Sequence, residues 1–194
     1  MKKLNQENLD SILIQLNDLL GLETANCFEL IICGGSALIA LGLVNRATKD
    51  IDIVARIAHG RIIDPAPLPE ELVKTAAKLA RFSGLPADWL NTGPADLYRM
   101  GLPQGFAQRL VARVIGASLI LHYISRFDQI HFKLYAAIDR GGYHITDLLA
   151  LAPTDEEITQ AAKWTLTHDV SSGFREMLEF LLRELDYERV IAKL

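Results

Sequence analysis

The chain is 194 residues long, half of them hydrophobic and 23% charged, enough apolar side chain for a sizeable core and too much for wholesale disorder. Its 20 Lys and Arg against 24 Asp and Glu leave a net charge of −4, which argues against bulk electrostatic binding of duplex DNA and leaves room for a local basic pocket. Cys27 and Cys33 supply neither a zinc pattern nor a disulfide framework, and Cys33 reads as a small core residue.

Residues 1–10 are polar and lack a signal-peptide core, and no run reaches the ~18 apolar residues of a membrane span. A cytoplasmic protein with no membrane partner is the expectation. Apolar positions at Leu9, Ile12, Leu13, Leu16, Leu19 and Leu20 have helical period, with Gly21 as the expected stop. Residues 28–33 read as a buried strand, 36–41 as a short helix closed by Gly42, and 49–55 as a second strand of period two. The stretch from His59 to Gly105 is rich in proline and loop-like, with one helix over 70–82. Residues 111–115 and 119–124 are β-rich and joined by Gly116-Ala117-Ser118, a hairpin or two edge strands. Helices are expected over 127–139, 145–151, 155–167 and 173–185, the third opened by Pro153-Thr154-Asp155 with acids in its first turn. The expected organisation is an α/β core over 1–124 and a helical region over 125–194 that packs on it as one compact unit.

The chemistry concentrates in Cys33-Gly34-Gly35-Ser36 and Arg46-Ala47-Thr48-Lys49-Asp50-Ile51-Asp52. A strand running through two glycines into a helix start offers free N–H groups where phosphates can approach, and Ser36 adds a hydroxyl. Asp50 and Asp52, two apart on a strand, project from one face while Ile51 and Ile53 turn to the core. Carboxylates in that arrangement suit hard cations such as Mg²⁺, and paired metals can activate a hydroxyl and stabilise a leaving oxygen.

Gly34-Gly35-Ser36 followed by Arg46-x-Thr48-x-Asp50-x-Asp52 resembles the signature of the DNA polymerase β-like nucleotidyltransferase superfamily. The Arg46-x-Thr48-x-Asp50-x-Asp52 spelling is similar to the minimal bacterial members, which include nucleotidyltransferase-like toxins and antitoxins of abortive-infection systems and an uncharacterised nucleotidyltransferase-like domain family. Asp88-Trp89-Leu90-Asn91, and the stretch from Arg126 through Lys133-Leu134 to Asp139-Arg140 and Asp147-Leu148, extend the resemblance along most of the chain. The resemblance implies an α/β (α+β) fold, a nucleotidyltransferase-like mixed sheet flanked by helices, followed by a C-terminal helical segment. It implies transfer of a nucleoside monophosphate from a nucleoside triphosphate to a hydroxyl of protein, RNA or a small molecule. The cofactor would be Mg²⁺ or Mn²⁺, held by Asp50 and Asp52 as metal-binding and catalytic residues. Gly34 and Ser36 would contact triphosphate oxygens, with Gly35, Arg46 and Thr48 in the same site. A toxin–antitoxin partner is the further implication, and a catalytically weak nucleotide-binding regulator is the alternative function.

The superfamily's third carboxylate is not evident. The strand over 119–124 holds no acid, so His122 is the candidate base there, with Asp128 and Asp96 as further candidates. Ser125 to Asp128 also reads as a helix cap. Lys133 and Arg140, seven apart, fall on one helix face and would form a basic stripe for triphosphate or RNA phosphates, with Asp139 and Asp147 as acidic neighbours. Trp89 and Trp164 read as core anchors.

Overall fold

The computed structural model describes residues 2–194, which fall into two compact units divided between Ser125 and Arg126. In the first, helix α1 (Leu9–Glu23) is followed by strand β1 (Phe28–Cys33), helix α2 (Gly34–Ala40), strands β2 (Ile51–Ala58) and β3 (Arg61–Ile63), helix α3 (Glu70–Ser83), strand β4 (Leu90–Asn91) and helix α4 (Ala95–Met100). A 3-10 turn over Phe106–Arg109 leads to strands β5 (Val111–Val114) and β6 (Leu119–Tyr123).

The sheet is mixed, in the order β3-β2-β1-β6-β5, with the two-residue β4 paired to β2 off that path. Strand β1 is central: it runs antiparallel to β2 and parallel to β6. Its near-continuous apolar sequence, Phe-Glu-Leu-Ile-Ile-Cys, is what a strand enclosed by neighbours on both sides requires. Leu9, Ile12, Leu13, Leu16 and Leu20 of α1 bury their shared face with Leu72, Ala76 and Leu79 of α3, against Leu30, Ile32, Ile51, Ile53 and Leu121 of the sheet. Trp89 is fully buried in this core, its indole N–H donating to Ala76 O at 3.0 Å, as an anchor should.

Helix α1 passes through Gly21 and ends at Glu23, where Thr75 and Lys78 of α3 bond the Glu23 carboxylate. Burial of the leucine stripe and this tie to α3 outweigh the roughly 1 kcal/mol that a helical glycine costs. The second strand starts two residues later than its alternation suggests and runs on to Ala58. Elements of two to six residues, β3, β4 and α4, were not foreseen, since so few residues carry no usable periodicity.

The second unit consists of α5 (Arg126–Arg140), α6 (Tyr143–Ala150), α7 (Asp155–His168), α8 (Ser172–Glu184) and α9 (Glu188–Ile191). Helix α5 is buried around most of its circumference and packs on α6, α7 and α8. Thr154 and Glu157 form a reciprocal capping box at the start of α7. Arg126 reaches from the start of α5 to Glu157, Leu151 O and Ala152 O. Trp164 is half-buried and stacks on Phe132, ring centroids 5.6 Å apart. Among the described residues no helix is long and apolar enough to cross a membrane.

Candidate functional site

The Gly34-Gly35 turn is shaped by this chain's own side chains. Gly34 has φ +69°, a conformation open to glycine at little cost, and a Cβ built there would lie 2.5 Å from Asp52 Oδ2. A Cβ at Gly35 would come within 2.8 Å of an Arg46 guanidinium nitrogen and 3.1 Å of Thr48 Oγ1. The pair of glycines therefore lets an acid approach from one strand and a guanidinium and a hydroxyl from the loop before it. Spacing alone suggested only a role in admitting phosphates.

Helix α2 begins at Gly34 itself rather than at Ser36. Ser36 is 1% exposed, and its hydroxyl has no hydrogen-bond partner among the described residues. A buried hydroxyl left unsatisfied costs about 1–3 kcal/mol, so Ser36 is a polar group in want of a ligand atom or a water.

Asp50 and Asp52 are held in different ways. Asp52 is in β2, opposite Cys33 of β1 and opposite Asn91 of β4. Its strand position is reinforced by Ile51 N–H, which donates to Trp89 O, and Ile51 and Ile53 lie in the core as alternation requires. Asp50 precedes the strand, so alternation does not position it. Thr48 Oγ1 does, donating to Asp50 Oδ1 at 2.9 Å. Thr48 is itself pinned by a two-way backbone bridge to Leu4, with N···O distances of 2.7 and 2.8 Å.

Gly34, Gly35, Ser36, Arg46, Thr48, Asp50 and Asp52 thus converge on one turn. His122 stands elsewhere on the sheet. Cross-strand partners share a face, so Asp52, Cys33, Ile31 and His122 lie on one side. His122 is nevertheless two strands and two residues away, roughly 12 Å from Asp52 by Cα spacing, and its Nε2 is 3.0 Å from Glu29 Oε2. Asp96 is ion-paired with Arg99 at 2.7 Å. Asp128 is fully buried in the first turn of α5, in the other unit. The residue opposite Asp52 is Asn91, whose Oδ1 accepts from Gly93 N–H at 2.8 Å. Its place became visible only through pairing, because a two-residue strand has no signature beyond Trp89.

The expected basic stripe on α5 does not form. Lys133 has a side chain only 5% exposed, and its ammonium is 2.8 Å from Asp147 of α6, itself 2% exposed. Arg140, at the end of the same helix, is 70% exposed and beside Asp139 at 3.3 Å. Seven residues put them on one nominal face, but α6 covers only the first.

Among the described residues no group of three or more His, Cys, Asp or Glu side chains could hold a metal ion alone. Mg²⁺ commonly uses one or two carboxylates together with substrate phosphates, and a pair in which Asp52 lies against the Gly34 turn and Asp50 is held by Thr48 fits that mode.

A family model described as a nucleotidyltransferase of unknown function (DUF6036) matches residues 7–160, and the chain belongs to that family. No curated protein and no solved structure gives a match.

Proposed function

From membership of this nucleotidyltransferase family, we propose that the protein is a Mg²⁺- or Mn²⁺-dependent enzyme moving a nucleoside monophosphate from a nucleoside triphosphate to a hydroxyl of protein, RNA or a small molecule. The observation that supports this reading is the convergence of Gly34, Ser36, Arg46, Asp50 and Asp52 on one turn. Asp50 and Asp52 would hold the cation, which supplies charge neutralisation at the triphosphate and a more acidic attacking hydroxyl when bound. The Ser36 hydroxyl donates to a phosphate oxygen, exchanging its orphaned state for a charge-assisted bond. Arg46, resting on Gly35, offers a planar guanidinium suited to bidentate phosphate contact. The acceptor oxygen bonds to the α-phosphorus, the bond from that phosphorus to its bridging oxygen breaks, pyrophosphate leaves, and the hydroxyl proton passes to water. Positioning and charge neutralisation carry most of such a reaction, so a sparse residue set suffices.

A second reading, a nucleotide-binding regulator or toxin–antitoxin component with weak chemistry, is favoured by one observation: the residues paired with Asp52, Cys33 and Asn91, include no acid. Calorimetric titration of each of the four nucleoside triphosphates, with and without Mg²⁺, on wild type and Asp52→Ala tests the site. Metal-dependent binding lost in Asp52→Ala supports it, and absence of binding to every nucleotide overturns both readings. Transfer of α-phosphate label to a co-purifying acceptor separates the enzyme from the regulator.

A further inference from the structure

Asp52 is positioned by the sheet, whereas Asp50 lies outside every strand. A carboxylate on a loop has rotamer freedom that a metal ligand must lose on binding, unless something has already removed it. Here the Thr48 hydroxyl does so from 2.9 Å. Thr48 is 9% exposed, and both its backbone N–H and C=O bond to Leu4, which is fully buried. Lys2 N–H donates to Gly84 O at 2.8 Å, so the segment carrying Leu4 is tied at a second point, behind α3. The order of dependence runs from the strap at residues 2–4 to Thr48 and from Thr48 to Asp50. Leu4 lies outside residues 7–160, the stretch the family model matches.

We propose that Thr48 is a positioning residue for Asp50, and that the N-terminal strap through Leu4 is the scaffold that keeps it in place. The inference rests on the proposed metal-dependent nucleotide site. It departs from the reading of Thr48 as a nucleotide contact, because the hydroxyl's proton is already given to Asp50, a group on the protein. Thr48 holds Asp50 through its hydroxyl, whereas Cys33 and Asn91 flank Asp52 in the sheet, so the two acids are positioned by different means. Gly35 contributes by leaving space: its missing Cβ is where the Thr48 hydroxyl and the Arg46 guanidinium come in.

The test uses the full chain and Mn²⁺ as a probe, with electron paramagnetic resonance counting free ion in the presence of each nucleoside triphosphate. Nucleotide affinity without metal is measured in parallel. Thr48→Val keeps the β-branched shape and the bridge to Leu4 but removes the hydroxyl. It is expected to weaken metal-dependent affinity about tenfold, the scale of one hydrogen bond to a charged group, and to leave metal-free nucleotide affinity within about twofold. Thr48→Ser restores the hydroxyl and should recover the wild-type value. Leu4→Ala, remote from any ligand, should reproduce part of the metal-selective loss at a temperature where circular dichroism shows it folded. Equal metal-dependent affinity in Thr48→Val and wild type overturns the inference, and so does an equal loss of metal-free affinity, which would make Thr48 a nucleotide contact. Wild-type protein whose nucleotide binding ignores Mn²⁺ overturns the proposed function itself, a result distinct from either of these.

Discussion

Two sets of charged residues look alike in the sequence and are treated in opposite ways by the fold. Around the Gly34-Gly35 turn, Asp50 and Asp52 are half-buried, and each is steered into place by a neighbour that leaves part of its carboxylate open. In the second unit, Lys133 and Asp147 are almost wholly buried and spend their charges on each other at 2.8 Å. The difference teaches how to sort charges that spacing alone lumps together. A charge that is fixed yet still reachable can meet a ligand, whereas a buried pair holds its helices in register and fails mainly by leaving one partner uncompensated.

The largest effect expected from breaking that contrast is on stability in the second unit. Asp147→Asn strands the Lys133 ammonium in the interior and should cost about 3–5 kcal/mol, read as a lowered midpoint in urea with an unchanged slope. The double change Lys133→Met with Asp147→Leu should recover most of it. Recovery by the double change with nucleotide affinity intact would confine Lys133 to structure, whereas recovered stability with lost affinity would restore it to the phosphate contacts.

Asp52→Ala should do the reverse. Metal-dependent nucleotide affinity should fall by about a hundredfold or more, on the scale of losing a strong charged contact, with stability changed by no more than about 0.5 kcal/mol. A large loss of stability with unchanged affinity would place Asp52 among the structural charges. Gly34→Ala sits between these two. Its φ of +69° and the crowding by Asp52 Oδ2 predict a destabilisation of about 1–2 kcal/mol together with weaker metal-dependent binding, since a new methyl would displace the acid. Chemical denaturation and the calorimetric titration on one sample check both halves.

The smallest effect concerns pH. Arg126, followed by the Thr154 backbone N–H, holds the Glu157 carboxyl below its usual 4.5, with burial opposing. A carboxyl whose folded value is lowered stabilises the fold above its unfolded value and loses that contribution as the pH falls through the folded one. Stability supplied by this pair should therefore be present at neutral pH and fade below about pH 4.5. Both side chains are partly exposed, so the contribution is about 1 kcal/mol or less. Arg126→Met should lower stability at pH 7 by more than that amount, because its bonds to Leu151 O and Ala152 O go too, and should flatten the acid limb, measured by urea unfolding from pH 7 to 3. An unchanged acid limb would place the acid sensitivity in other carboxylates.

Much of the site was legible before any coordinates. Gly34, Gly35, Ser36, Arg46, Thr48, Asp50 and Asp52 were readable as one constellation because the chain brings them together over a strand, a short helix and a loop, within about twenty residues. What their neighbours do was not legible. His122 was a reasonable base on residue type, yet its parallel register with β1 gives it to Glu29. Arg46 and Thr48 read as nucleotide-binding, yet each first serves the chain, one against Gly35 and the other on Asp50.

By itself the sequence determined the longer helices and strands and the mixed α/β character, together with the chemical types gathered at the glycine turn. Each of these follows from local periodicity or from neighbours close along the chain. Tertiary structure alone decided that Asn91 faces Asp52, that Leu4 braces Thr48 and that Lys133 is closed off by α6 while Arg140 is not. These depend on pairing register and on burial by residues distant in sequence. No spacing rule encodes such contacts, because their free energy exists only once the partner surface is in place.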